Sequence, residues 1–278
     1  MNVQNKTIIV TGGGSGMGRE IVLNLLSRGA KVIAIDINSI ALQGTVELAN
    51  DRKDALSTFL VDITSKASVG MLMNEVLERF GAVDGLINNA GIIQPFIKVN
   101  ELNFETVERV VNVNFYGTLY MIKAFLPHLL TRAEAHIVNI SSMGGFLPVP
   151  GQTVYGASKA AVKLLTEGLH SELTGTNVKV TVVFPGAVGT NIMQNSGVDN
   201  PIQSAADNKA MKALSPARAA QIIIDGMEND RYRVLVGKDA KIMDLFYRLV
   251  PRSAAGLIAK KMAALLNDRG NAMQASLH

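Results

Sequence analysis

Seven short runs rich in β-branched and other apolar residues recur along this chain, with longer stretches of helical periodicity between them. No other feature constrains the fold as much. The predicted strands are Thr7–Val10, Lys31–Ile35, Leu56–Val61, Gly85–Ile87, His136–Ile140, Val178–Phe184 and Arg233–Val236, and helix-length segments include Gly16–Arg28, Lys66–Phe80, Phe104–Leu130 and Tyr155–Leu173. Alternating β and α elements imply a parallel sheet with helices on both faces, because parallel neighbours need a crossover and the crossover is right-handed. The expected class is therefore α/β: a single-domain, Rossmann-type doubly wound parallel sheet of about seven strands. A chain of 278 residues, 48% of them hydrophobic, can fill the core this requires.

The first strand runs into Thr11-Gly12-Gly13-Gly14-Ser15-Gly16-Met17-Gly18, where a helix begins. Glycines there let the backbone turn sharply and approach a ligand, and the free N–H groups of a helix start suit a pyrophosphate. The spacing is TGxxxGxG, on Gly12, Gly16 and Gly18, rather than GxGxxG. Asp36 ends the second strand eighteen residues later. A carboxylate there can accept hydrogen bonds from ribose hydroxyls and repels a 2′-phosphate. Its neighbours Ile37 and Asn38 supply no compensating cation, so NAD is expected over NADP. Arg19, next in the helix, is expected on the surface. The competing reading of Asp36 is a cap for the next helix.

Tyr155 and Lys159 stand four residues apart, one above the other on a helix face. A phenol with an unperturbed pKa of about 10 needs help to act near neutrality. A neighbouring ammonium and an oxidised nicotinamide favour phenolate, and a shift of about three units corresponds to roughly 4 kcal/mol. Ser142 closes the fifth predicted strand, and its hydroxyl can donate to a substrate oxygen as negative charge develops.

These residues together resemble the short-chain dehydrogenase/reductase family, in its short single-domain branch. The likeness covers about residues 5 to 237 and rests on an ordered set: the Thr11–Gly18 loop, Asp62-Ile63, Asn88-Asn89-Ala90-Gly91, Asn114, Ser142, Tyr155 with Lys159, and Pro185-Gly186-Ala187-Val188-Gly189-Thr190. Tyr155 lies thirteen residues after Ser142 and forty-one after Asn114. The resemblance implies Tyr155 as general acid/base, Lys159 as the group that lowers its pKa and holds the nicotinamide ribose, and Ser142 as the orienter of the substrate oxygen. It implies Asn114 as a holder of water in a relay to the lysine. For the cofactor it implies Thr11, Gly12, Ser15, Gly16, Met17 and Gly18 on the phosphates and Asp36 and Ile37 at the adenosine ribose. Asp62 and Ile63 would flank adenine, with Asn89, Ala90 and Gly91 beside the ribose. Pro185, Gly186, Val188 and Thr190 would bracket the nicotinamide. Homodimers or homotetramers through the Phe104–Leu130 and Tyr155–Leu173 helices are a further implication.

The reaction expected is hydride transfer between NAD(H) and a secondary alcohol or ketone. The alternatives are an NADPH-dependent carbonyl reductase and a catalytically silent NAD-sensing protein. A lipophilic substrate is expected from Ile93, Gln94, Pro95, Phe96, Met143, Phe146, Leu147, Val149, Gln152 and Met193 as its walls. Residues 1–237 read as the dinucleotide-binding and catalytic domain. Residues 238–278 read as a helical extension packed on or near the substrate cleft, with Ile242, Leu245, Phe246 and Leu249 on one apolar face and Ile258, Met262, Leu265 and Leu266 on another. Within Thr190–Met211 a loop or lid is expected.

The absence of cysteine excludes disulfides, thiolate metal sites and a cysteine nucleophile, and the four scattered histidines show no metal spacing. No dense basic run suggests nucleic acid. From Lys209 onward twelve Lys/Arg face six Asp/Glu, so the extension reads as a lid, a subunit contact, or an interfacial helix on anionic lipid. The first apolar run enters a glycine turn directly, as a strand does and a targeting segment does not. A cytoplasmic location is expected.

Overall fold

The computed structural model describes residues 1–198 and 213–275, with side chains to residue 263. Strand β1 (Thr7–Thr11) leads through the glycine loop to α1 (Gly16–Ser27), and β2 (Lys31–Asp36) to α2 (Ser39–Ala49). Then come β3 (Leu56–Leu60), α3 (Lys66–Phe80), β4 (Gly85–Asn88), α4 (Phe104–Val111) and α5 (Thr118–Leu129). The second half runs β5 (Ala135–Ile140), α6 (Thr153–Glu172), β6 (Val178–Pro185), the single turn α7 (Ile192–Asn195), α8 (Pro216–Glu228), β7 (Arg233–Val236), α9 (Lys238–Leu249) and α10 (Pro251–Ala275). The seven strands are all parallel, in the order β3-β2-β1-β4-β5-β6-β7.

The pleat divides β1 between two cores. Ile8 and Val10 join Ile21, Val22 and Leu25 of α1 and Ile223, Ile224 and Met227 of α8 on one face. Ile9 points the other way, into a cluster with Val69, Leu72 and Val76 of α3 and Met121, Phe125 and Leu129 of α5. Each strand near the centre is thus covered on both sides, which is why it reads as a continuous apolar run. The order reverses at β1, which pairs with both β2 and β4. Chains leaving those two strands diverge and open a crevice at their carboxyl ends.

Helix starts are marked by local chemistry. Asn38, Ser65, Asn103 and Ser215 each accept a hydrogen bond from a first-turn N–H of α2, α3, α4 and α8. Asn38 is thus the cap of α2, and the reading of Asp36 as that cap fails. Two differences from expectation stand out. The predicted Phe104–Leu130 helix is interrupted by a π-turn at Asn112–Gly117. The expected apolar face of α9 is turned to the surface: Ile242, Leu245 and Leu249 are 65%, 61% and 71% exposed. In α10 Ile258 and Met262 are half-buried, whereas Leu265 and Leu266 fall outside the described side chains. Of the expected Thr190–Met211 loop, residues from 199 onward also fall outside the described residues. Among those described, no helix is long and apolar enough to cross a membrane, and no cluster of three His, Cys, Asp or Glu could hold a metal.

Candidate active site

A cleft of about 640 Å³ runs across the carboxyl ends of the strands at the reversal point. One end is formed by the glycine loop. Gly12 has φ +67°, and a Cβ on Gly18 would overlap the Gly12 carbonyl oxygen, so the loop folds this tightly only with glycine there. Asp36 is bound into the same structure: its Oδ2 accepts from Gly14 N–H at 3.0 Å and its Oδ1 from Asn38 N–H at 3.1 Å. The loop is a backbone cradle with one carboxylate at its edge.

Arg19 is not a free surface residue. Its guanidinium is half-buried and donates to the carbonyls of Gly14 and Ala41 and to Thr45 Oγ1, clamping the loop to α2. Thr45, fully buried, donates in turn towards Gly13 O at 3.0 Å. No signal in the sequence pairs Arg19 with residues more than twenty positions away.

Further along the cleft lie Gly12, Ser15, Gly16, Met17, Gly18, Asp36, Ile37, Asp62, Ile63, Asn89, Ala90 and Gly91, then Ser142, Tyr155, Lys159, Pro185, Gly186, Val188 and Thr190. Two of the expected site residues stand behind this wall. Thr11 is buried, and its Oγ1 accepts from the N–H groups of Asn89 and Ala90, joining β1 to the turn after β4. Asn114, in the π-turn, is buried too. Its side chain accepts from Ile92 N–H at 2.8 Å and donates to Ile92 O and Ser158 Oγ, both at 2.9 Å. Asn195 of α7 was not foreseen at the cleft; it donates to Ser15 Oγ at 2.7 Å and so bridges the glycine loop from above.

At the far end Ser142 follows β5 into a turn packed on α6. Its Oγ accepts from Gly144 N–H at 3.0 Å, and the Ser142 hydroxyl and the Tyr155 phenol line the same end of the cleft. The turn cannot be displaced from the helix: Ser141 Oγ donates to Lys159 O at 2.7 Å, and a Cβ on Gly156 would sit 2.9 Å from Gly144 O. Burial pushes the Tyr155 phenol above its ordinary pKa, with the neighbouring Ser142 hydroxyl pulling against it. Burial lowers Lys159 to about 8; its Nζ donates to Ile140 O at 2.9 Å. Lys159 is the only Lys or Arg among the described residues lining the cleft.

Not all expected substrate walls are walls. Gln94 is fully buried and bonded to Gly151 and Gln152. Phe146, Leu147 and Val149 instead line a second, apolar cleft of about 570 Å³, closed on its far side by Tyr247 of α9 and Ala255 and Ala259 of α10. The largely buried Gln152 borders this second cleft, whereas Gln94 lines neither. The extension is anchored by Asp239, which accepts from Ala187 N–H at 2.7 Å, and by Asp244, 3.0 Å from Arg233.

Residues 6–201 match the model of the family described as short chain dehydrogenase. The Mycobacterium tuberculosis protein named as oxidoreductase SadH is 35% identical over 266 residues, covering 94% of this chain and 96% of that one. An uncharacterised oxidoreductase of Staphylococcus saprophyticus is 36% identical over 229 residues, 82% of this chain and 93% of its own. Among solved structures, a short-chain dehydrogenase/reductase from Burkholderia phymatum in complex with NAD superposes with a TM-score of 0.76 at 27% identity, covering 84% of this chain and 90% of that one. ElxO with NADP bound gives 0.75 at 25%, over 84% and 95%. Fold and cleft thus define an oxidoreductase on a Rossmann-type sheet that binds a nicotinamide nucleotide. More specifically, the chain belongs to the short-chain dehydrogenase/reductase family.

Proposed function

We propose that this protein interconverts a lipophilic secondary alcohol and its ketone with NAD(H), using Tyr155 as general acid/base. The observation that carries the reading is that Ser142, Tyr155 and a buried Lys159, one helical turn from Tyr155, line the same cleft as the glycine cradle. The cradle fits a pyrophosphate because its N–H groups and missing side chains leave room for one. When bound, the nicotinamide accepts or supplies the hydride.

The chain's own residues handle the proton. Burial keeps the resting phenol protonated, ready to give its proton to a ketone oxygen. In the oxidative direction it must take the alcohol proton, and the Lys159 ammonium favours the phenolate so formed. A lysine lowered to about 8 still carries most of its charge at neutral pH. Ser142 Oγ, held by Gly144 N–H, donates to the substrate oxygen and fixes it beside the phenol. Asn114 supports this end from behind rather than facing the cleft.

NAD is favoured by the carboxylate of Asp36 at the adenosine end and by Arg19, whose Nε and Nη2 are held on Gly14, Ala41 and Thr45. A lipophilic substrate is favoured by the apolar cleft between the 146–149 segment and the C-terminal helices, which makes α9 and the first turns of α10 a cover for the substrate side. The deciding experiment is a screen of hydroxysteroids, fatty alcohols, small diols and their ketones with both cofactors, read at the nicotinamide absorbance. Turnover only with NADPH transfers the protein to the carbonyl reductases. Tight NAD binding with no turnover on any member leaves the silent nucleotide sensor.

A further inference from the structure

Helix α6, which carries both Tyr155 and Lys159, begins without a cap of its own: Gln152 sits at the N-cap and makes no side-chain bond to the first turn. Tyr155 is the third residue of that helix, so its N–H is among the four that no intrahelical carbonyl can satisfy. The partner comes from sixty-one residues upstream. Gln94, fully buried, accepts from Val154 N–H and Tyr155 N–H through Oε1, both at 2.9 Å. Its Nε2 donates to Gly151 O at 3.0 Å, and its main-chain carbonyl accepts from Gln152 Nε2 at 2.7 Å. One neutral side chain thus serves as the missing cap and ties the helix to the preceding loop.

The same segment is held a second time. Ile92, two residues before Gln94, is gripped at N–H and carbonyl by Asn114, which also donates to Ser158 of α6. The chain leaving the Asn89-Ala90-Gly91 turn is therefore fastened to α6 at Tyr155 and, through Asn114, at Ser158. These attachments set the distance between the cofactor side of the cleft and the phenol.

We propose that Gln94 is a positioning residue for Tyr155: it fixes the first turn of α6, and as an uncharged acceptor it does so without placing a negative charge beside the phenol. The proposal rests on Tyr155 being the acid/base. The titratable groups around it are Tyr155 and Lys159 on α6, with Arg109 of α4 reaching the loop from its other side through the Ser196 carbonyl.

Two substitutions in the full chain separate position from charge. Gln94→Met removes the cap at similar volume. Gln94→Glu keeps both acceptor bonds, whose two N–H donors favour its ionised form, and gives up the bond to the Gly151 carbonyl. Kinetics across pH, thermal unfolding and NAD titration are measured for each, with Tyr155→Phe alongside. For folded Gln94→Met, kcat is expected to fall by about tenfold or more with NAD affinity little changed, because small displacements of a reacting group are costly. For Gln94→Glu the acid limb of alcohol oxidation, on which the rate rises with pH, is expected to move up by about one unit, since the added charge opposes phenolate. A folded Gln94→Met with wild-type kcat overturns the proposal. So does a Gln94→Glu profile that keeps the wild-type pH dependence, and that arm decides the matter if the methionine variant fails to fold. Full turnover by Tyr155→Phe would instead strike the underlying assignment of the acid/base, a result distinguishable from either.

Discussion

Asp36 Oδ2 and the Gly14 amide are hydrogen-bonded at 3.0 Å, so the acid that ends β2 and the loop that follows β1 form one rigid structure. A Cβ on Gly14 would stand 2.8 Å from that carboxylate oxygen. The acid thus has two separable effects, one on loop geometry and one on charge. Asp36→Asn retains a side-chain acceptor for Gly14 N–H and removes the charge. It is expected to raise the NADP(H) to NAD(H) ratio of kcat/KM by about tenfold, the scale of one lost charge repulsion at a partly exposed site. Asp36→Ala with Ile37→Arg should shift the ratio further but also loosen the loop. Equal cofactor ratios in wild type and Asp36→Asn would refute the charge argument.

Tyr155→Phe leaves the packing of α6 against the Ser142 turn in place and removes the proton carrier. Turnover is expected to fall by about 10³-fold or more, with the NAD dissociation constant within about threefold of wild type. Stopped assays with high enzyme, paired with calorimetric titration, check both halves. Loss of cofactor binding along with turnover would mean that the phenol holds the nucleotide rather than the proton.

Lys159 exchanges stability for chemistry. Its pKa is lowered from 10.5 to about 8 by burial, so between those values the unfolded chain binds more protons than the folded one, and stability rises with pH across that window. Below pH 8 the buried ammonium is a standing cost. Lys159→Met is therefore expected to be inactive yet more stable at pH 7, by about 2 kcal/mol after allowing for the carbonyl of Ile140 that loses its donor. That advantage should vanish near pH 10.5. Urea unfolding at pH 7 and pH 10 tests the sign, and an unchanged difference between the two would count against it.

How much of this could be read beforehand depended on the range of the interactions. The seven strands were legible to within a residue or so because β1, β2, β4, β5 and β6 are mostly apolar and buried, and a buried parallel strand shows that directly in its composition. The residues that line the cleft were legible because they sit at strand ends, where the family pattern spaces them along the chain. The hidden features are pairings across sequence. Arg19 finds Ala41 and Thr45, Asn195 finds Ser15, and Gln94 finds Gly151, Val154 and Tyr155. In sequence Gln94 and Gln152 are two amides beside expected substrate positions. Only the fold shows that Gln94 is spent on Gly151, Val154 and Tyr155 and that Gln152 Nε2 donates to the Gln94 carbonyl. The exposed stripe of α9 misled for a related reason: periodicity identifies an apolar face but not which way it turns.

His136 lies at the opposite end of the sheet from the cleft, fully buried, with Nε2 2.8 Å from Thr181 Oγ1 and Nδ1 3.4 Å from Asp230. Burial lowers it to about 4 despite the carboxylate, so it is neutral in the folded protein. As pH falls from 6.5 to 4 the unfolded state gains the proton first, and stability declines by up to about 3 kcal/mol from this residue alone. His136→Gln should start less stable at pH 7 but lose less between pH 7 and 4.5. Parallel losses in the two proteins would show that other groups govern acid unfolding.

The π-turn at Asn112–Gly117 acts as a phase shifter in an otherwise regular rod. A π-turn holds one residue more than the α-helical turn it replaces, and one residue is about 100° of rotation. Val110 before the turn and Met121, Phe125 and Leu129 after it are all fully buried. The turn itself carries Asn114, whose side chain holds Ile92 and donates to Ser158 of α6. Deleting any one residue from 112 to 117 should therefore not merely shorten the helix. It should turn everything upstream of it by more than a quarter of a revolution, and with it the amide that holds Ile92.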